Sequence, residues 1–192
     1  MNGEEVQSAL WATIRLVEGL GLPYSLMGAL TLAVYGKGRA THDVDIMVMP
    51  LSADALQKVR EKAPGAGFRV DDVWEQYHPD VRDVQVRLMH HGVPVDVMFP
   101  RDDHDRETLQ RRQHQAVGGA ALWVVTREDF ILQKLKAGRP RDFDDVIPFF
   151  AQLRDELDHD YLSQWARRLG VREELDFLWS ESERGQKSEG RS

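Results

Sequence analysis

Residues 27–48 read MGALTLAVYGKGRATHDVDIMV, and this stretch decides the expected fold. Its last six residues are apolar and β-branched enough to predict a strand, and residues 29–35 favour a short helix before it. Successive side chains of a strand point to opposite faces, so Asp43 and Asp45 are expected on one face, with apolar neighbours directed into the core. Two carboxylates so close together repel each other unless a cation neutralises them, and a divalent metal is the natural partner.

A third carboxylate is expected near the same place. Residues 83–90 and 93–99 both alternate between apolar and polar, which predicts a hairpin joined at His91 and Gly92. Asp96 stands in its second strand, and alternation places it on the more open face. If this strand lies beside the Asp43 strand, three carboxylates converge, and such hard oxygen ligands suit Mg²⁺ or Mn²⁺.

The residues before the helix indicate a phosphate site. Gly28 and Ala29 fall at a strand-to-helix turn, where free amide groups can hold a phosphate and small residues let it approach the backbone. An ordinary tight turn is the alternative for Gly28 alone.

Together, the Gly28–Ala29 turn, the short helix and the R-x-T-x-D-x-D run at 39–45 resemble the nucleotidyltransferase superfamily that includes polymerase beta. The specific part covers roughly residues 24–49. The resemblance is greatest to small bacterial AbiEii-type abortive-infection toxins, and aminoglycoside nucleotidyltransferases share the layout. In the family the second turn position is usually Ser or Gly, whereas this chain has Ala29.

The resemblance implies roles for particular residues. The expected catalytic residues and metal ligands are Asp43, Asp45 and Asp96. The expected nucleotide-binding residues are Gly28, Ala29, Arg39, Thr41 and Lys134. Lys134 stands in TREDFILQKLKAGRPRDFDDV (126–146), which resembles the second conserved region of AbiEii-like proteins. By that resemblance Lys134 reaches the triphosphate, and Asp142 and Asp145 cap or orient the next helix; a solvated basic helix face is the alternative.

Composition limits the function classes. The chain has 192 residues and no cysteine, which excludes cysteine-based zinc sites and thiol catalysis. Its net charge of −7 disfavours a protein that coats nucleic acid through overall charge. No apolar run approaches the ~18 residues of a membrane span, and no basic segment followed by an apolar one opens the chain, so a cytoplasmic protein without membrane contact is expected.

The order of elements predicts an α/β (α+β) fold with a mixed sheet of the nucleotidyltransferase type, flanked by helices, and a helical C-terminal region. We expect a core over 1–125, a helical region packed on it over 126–182, and a disordered tail over 183–192.

The expected activity is metal-dependent transfer of a nucleoside monophosphate from a triphosphate such as ATP to an acceptor hydroxyl. The AbiEii resemblance suggests RNA or tRNA as acceptor, for a toxin with an antitoxin protein as partner. A small aminoglycoside-like molecule is the alternative acceptor, and a catalytically inactive binding module of the same fold is a third reading.

Overall fold

The computed structural model describes residues 3–117 and 119–189. The chain divides into two compact units, Met1–Val125 and Thr126–Ser192. Within the described residues, no helix is both long enough and apolar enough to cross a membrane.

The first unit is built on a seven-stranded mixed sheet with the strand order β3-β4-β5-β2-β1-β7-β6. Its strands are β1 (Tyr24–Leu26), β2 (Val44–Val48), β3 (Arg69–Val70), β4 (Gln85–His90), β5 (Val93–Met98), β6 (Gln113–Val117) and β7 (Ala120–Val124). Its helices are α1 (Gly3–Gly19), α2 (Gly28–Val34), α3 (Ala55–Lys62), α4 (Asp72–Tyr77) and α5 (Asp103–Arg111). The expected α/β fold with a mixed sheet is confirmed.

The centre of the sheet explains which face is buried and which is functional. The strand β2 pairs parallel with β5 and antiparallel with β1, and β4 pairs antiparallel with β5. Val44, Ile46, Val95 and Val97 share one face and are fully buried, and α1 packs against β2 and β5. The opposite face of the same strands is left to the polar residues between them.

The predicted hairpin forms β4 and β5. Its two turn residues both adopt left-handed backbone angles, with φ of 49° at His91 and 85° at Gly92, as a type I′ turn requires. The register pairs His90 with Val93, and therefore Arg87 with Asp96.

The second unit is helical in its described part. It contains α6 (Arg127–Ala137), α7 (Pro140–Leu153), α8 (His159–Leu169) and α9 (Arg172–Glu189). Thr126 caps α6 by accepting a hydrogen bond from the Asp129 amide, and α7 continues through Pro148. Of the segment 183–192 that was expected to be disordered, 183–189 belong to α9, and 190–192 lie outside the described residues.

Two elements were not expected. The helix α4 begins after Asp71, whose carboxylate accepts a hydrogen bond from the Trp74 amide. The strand β6 follows α5 and pairs antiparallel with β7. Because β6 is the last strand of the sheet, its side chains are mostly exposed and carry no apolar alternation.

Candidate active site

Asp45 and Asp96 meet across the pairing of β2 with β5. The parallel register sets Asp45 directly beside Asp96, and directly paired residues of neighbouring strands present their side chains on the same face. Two of the three expected carboxylates therefore share one face at the centre of the sheet. Asp43 is two residues before Asp45 and immediately precedes β2.

Gly28 lies against Asp45. The Met27 amide donates a 2.9 Å hydrogen bond to the Asp45 carbonyl, which holds the start of α2 against β2. Gly28 has a φ of +63°, and a Cβ placed on it would lie 1.9 Å from Oδ2 of Asp45. No residue but glycine fits here without moving the carboxylate, and this accounts for Gly28 beyond the needs of an ordinary turn.

The segment between α2 and β2 carries the other motif residues. The Thr41 hydroxyl donates a hydrogen bond to Oδ1 of Asp43. Arg39 is half-buried, and its Nη1 donates to the Ala40 carbonyl at 3.0 Å, among other interactions. Thr41 thus orients the Asp43 carboxylate. Ala29, the second turn residue, is buried, so only its backbone faces a ligand.

Asp96 is engaged by an arginine that the sequence analysis did not consider. Arg87 Nε donates to Oδ1 of Asp96 at 2.8 Å, and Nη2 donates to Oδ2 at 2.6 Å. Asp96 lies on the face opposite the fully buried Val95 and Val97, but it is itself only 7% exposed. Its buried charge does have a partner, as a buried charge must, and that partner is a guanidinium.

The guanidinium of Arg87 is itself held in place. Its Cζ lies 4.5 Å from the centre of the Trp74 ring, and the His78 ring stacks on Trp74 at 4.2 Å with an interplanar angle of 13°. The hydrogen bonds to Asp96 raise the pKa of Arg87; burial opposes them, and the charges of Asp96, Asp45 and Asp71 add to the rise. Arg87 therefore remains a cation next to both site carboxylates.

The donor chemistry of this face fits a hard divalent cation. Carboxylate oxygens are the ligands that Mg²⁺ and Mn²⁺ prefer, and the neighbouring positions of Asp45 and Asp96 supply them from two strands. In the part of the chain that the structure describes, no three Asp, Glu or His side chains are already grouped closely enough to hold a metal ion. The residues thus suit the metal in kind, and Asp45 and Asp96 lie at neighbouring positions of paired strands.

Lys134 lies in the second unit, in a buried cluster of charges. Its ammonium donates at 2.8 Å to Oδ1 of Asp142 and at 2.8 Å to Oδ2 of Asp145, and Arg139 Nε donates to Asp142 at 2.7 Å. Burial opposes ionisation of Asp142, yet the hydrogen bonds from Arg139 and Lys134 outweigh it and hold the pKa of this carboxyl below its ordinary value. The alternative of a solvated basic face does not describe Lys134, which is 8% exposed.

No protein-family model and no curated protein sequence matches the chain. Solved structures do match. ANT(2″)-Ia, solved with adenylyl-2″-tobramycin, has a TM-score of 0.57 at 11% identity, covering 86% of this chain and 97% of its own. A Thermotoga maritima protein assigned as a nucleotidyltransferase has a TM-score of 0.53 at 15% identity, covering 79% of this chain and 96% of its own. A protein from H. pylori with the same assignment has a TM-score of 0.51 at 18% identity, covering 94% and 82%.

The chain has the nucleotidyltransferase fold. This confirms the fold that the motif over 24–49 implied. At identities of 11% to 18%, the match concerns the nucleotidyltransferase fold alone, and it does not extend to the AbiEii-type group.

Two residues of the site were missed by sequence reasoning, and they differ in how they could have been found. Arg87 follows from the hairpin, because counting outward from a two-residue turn at His91 and Gly92 sets it opposite Asp96. Trp74 has no comparable signal. It reaches Arg87 only because α4 packs beside β4, and that packing is a tertiary contact.

Proposed function

We propose that this protein is a metal-dependent nucleotidyltransferase that moves a nucleoside monophosphate from a nucleoside triphosphate to an acceptor hydroxyl. The observation that carries the proposal is the pairing of Asp45 with Asp96 on neighbouring strands, with the Gly28 turn pressed against the Asp45 carboxylate. In this arrangement two acidic side chains and a small-residue turn lie together, which is what a phosphate ligand and its divalent cation require.

The roles of the residues follow from their places. Asp43, Asp45 and Asp96 would hold Mg²⁺ or Mn²⁺, and the amides at Gly28 and Ala29 would hold the outer phosphates. A bound divalent cation would neutralise charge on the α-phosphate and lower the pKa of the acceptor hydroxyl. By the sequence resemblance, Arg39 and Thr41 assist nucleotide binding; the hydrogen bond from Thr41 to Asp43 supports an orienting part for the threonine.

The transfer is a displacement at the α-phosphorus. The acceptor oxygen forms a bond to that phosphorus, the bond from the phosphorus to the oxygen that bridges it to the β-phosphate breaks, and pyrophosphate leaves. The hydroxyl proton passes to Asp96 and then to solvent. Most of the rate enhancement would come from positioning and electrostatics rather than covalent catalysis.

A small cationic, hydroxyl-rich acceptor is the form of this function that we favour. ANT(2″)-Ia, which shares the fold, was solved with an adenylylated aminoglycoside. The net charge of −7 favours a cationic acceptor, and the segment that carries Trp74 toward the site also exposes Asp72, Asp80 and Asp83.

RNA is the other acceptor, which the AbiEii resemblance suggests. In the run 134–142, Lys134 is buried between two carboxylates and is less available to a phosphate backbone than a solvated cation. Arg139 is hydrogen-bonded to Asp142, but its side chain is 69% exposed. Neither the toxin role nor an antitoxin partner gains support from the proteins that share the fold.

The decisive experiment is incubation with each α-labelled triphosphate and Mg²⁺, in parallel with an aminoglycoside panel and with total RNA. Label is expected in the aminoglycoside arm with stoichiometric pyrophosphate, and none with Asp45→Asn. Label in RNA alone would reverse the acceptor assignment. No label in any arm, together with no affinity for Mn²⁺ or nucleotide, would identify an inactive module of the same fold.

A further inference from the structure

The two-point salt bridge between Arg87 and Asp96 is the least expected feature of the site. The two residues are directly opposite in the antiparallel pairing of β4 with β5. Both carboxylate oxygens are engaged, at 2.8 and 2.6 Å. The side chain of Asp96 is 10% exposed and that of Arg87 is 25% exposed, so water screens this pair far less than a surface ion pair.

Arg87 also contacts an aromatic ring, which packs against its guanidinium. Trp74 lies under it at 4.5 Å, and the Asp71 carboxylate caps the helix that carries Trp74. His78 packs flat on the same indole, and its Nδ1 donates to the Trp74 carbonyl at 2.8 Å. The guanidinium is therefore held on one side by Asp96 and packed on the other against Trp74, which His78 supports.

We propose that Arg87 is a positioning residue, which sets the orientation of the Asp96 carboxylate for nucleotidyl transfer through its two-point contact and not through its charge alone. This inference rests on the proposed function. Each carboxylate oxygen has two lone pairs, and Arg87 uses one on each. The remaining lone pairs therefore point in directions that the guanidinium and its Trp74 support determine.

The contrast between arginine and lysine separates orientation from charge. A guanidinium binds both oxygens of a carboxylate with fixed geometry, whereas an ammonium is a mobile point charge on a flexible stem. Arg87→Lys therefore keeps the positive charge beside Asp96 and removes the two-point contact. Arg87→Ala removes both.

The test compares wild type, Arg87→Lys and Arg87→Ala with a matched control, Arg69→Ala. Arg69 is an exposed arginine on the adjacent strand β3, and its recorded hydrogen bond is to the neighbouring Val70 carbonyl. Three quantities are measured on each full-length protein: Mn²⁺ affinity by electron paramagnetic resonance, kcat and nucleotide KM for transfer, and Tm. Millimolar guanidinium is added to Arg87→Ala in a separate series.

Partners of metal-binding groups typically contribute about 10–100-fold to metal affinity or activity. We expect Arg87→Lys to lose about 10–100-fold in kcat and to bind Mn²⁺ more weakly, with nucleotide KM unchanged. Guanidinium should restore part of the kcat of Arg87→Ala, and Arg69→Ala should match wild type. Normal kcat and Mn²⁺ affinity in Arg87→Lys, a lowered Tm with no other change, or tighter Mn²⁺ binding would each overturn the proposal.

Failure of this inference can be told from failure of the proposed function. A wild type that transfers nothing to any acceptor but binds Mn²⁺ removes the proposed activity, and the Mn²⁺ series still decides whether Arg87 positions Asp96. A wild type that transfers normally, with Arg87→Lys equal to it, removes only the role of Arg87. A wild type that binds no Mn²⁺ overturns both.

Discussion

Replacing Gly28 with alanine tests the contact that joins the turn to the carboxylates. An added Cβ would lie 1.9 Å from Oδ2, 2.7 Å from Cγ and 2.9 Å from Cβ of Asp45, so the whole carboxylate side chain has to move. The left-handed backbone, with φ of +63°, adds a further cost of about 1–2 kcal/mol for any residue with a Cβ.

The backbone cost by itself should lower Tm by about 2–8 °C, because 1 kcal/mol corresponds to about 2–4 °C in a chain of this size. The displaced carboxylate should lower transfer much more, since a misplacement of about 1 Å at a reacting centre can cost about 100-fold. Differential scanning calorimetry and the labelled-triphosphate assay measure the two effects separately.

Gly36 provides the matched control. Its φ is +79°, and a Cβ placed on it meets nothing within 4 Å. Gly36→Ala therefore carries the same kind of backbone cost without touching a carboxylate, and it should lose stability but not activity. If Gly28→Ala were as active as Gly36→Ala and equally stable, the assignment of the turn to the site would be refuted.

Four other predictions concern the charged groups. Asp45→Asn should abolish transfer with little change in Tm. Asp96→Asn should also abolish transfer, and it should lower the free energy of unfolding by about 1–3 kcal/mol, because it weakens a buried ion pair. Equal Tm values for the two variants in calorimetry would contradict this. Mn²⁺ should raise the Tm of the wild type but not of Asp43→Asn. A wild-type Tm that is the same with and without Mn²⁺ would count against the metal site. Lys134→Met should cost about 3–5 kcal/mol, because it removes the buried ammonium that Asp142 and Asp145 share. The pKa of Asp142 is lower in the folded protein than in the unfolded chain. Its ionised carboxylate therefore stabilises the fold above about pH 4, and this stabilisation is lost as the pH falls through the folded pKa. The free energies of unfolding of wild type and Asp142→Asn, measured in urea, should therefore converge in acid.

Local chemistry determined much of this protein. The two-residue period of a strand predicts that Asp45 leaves the sheet on the face opposite Val44 and Ile46, and this holds in β2. The His91 and Gly92 turn sets the hairpin register. A type I′ turn has two residues, and each residue before it pairs with the residue equally far after it. These features are predictable because each depends on residues close together in the chain.

Tertiary structure decided which residues act on one another. The parallel pairing of β2 with β5 brings Asp96 to Asp45 across 50 positions of sequence, and periodicity contains no information about which strands become neighbours. The stack of Trp74 under Arg87 depends on a short helix without an apolar period. From the sequence, Lys134 was expected to reach a triphosphate, or else to lie on a solvated basic helix face. In the fold its ammonium is buried, because two carboxylates on the following helix offset the cost of removing its charge from water.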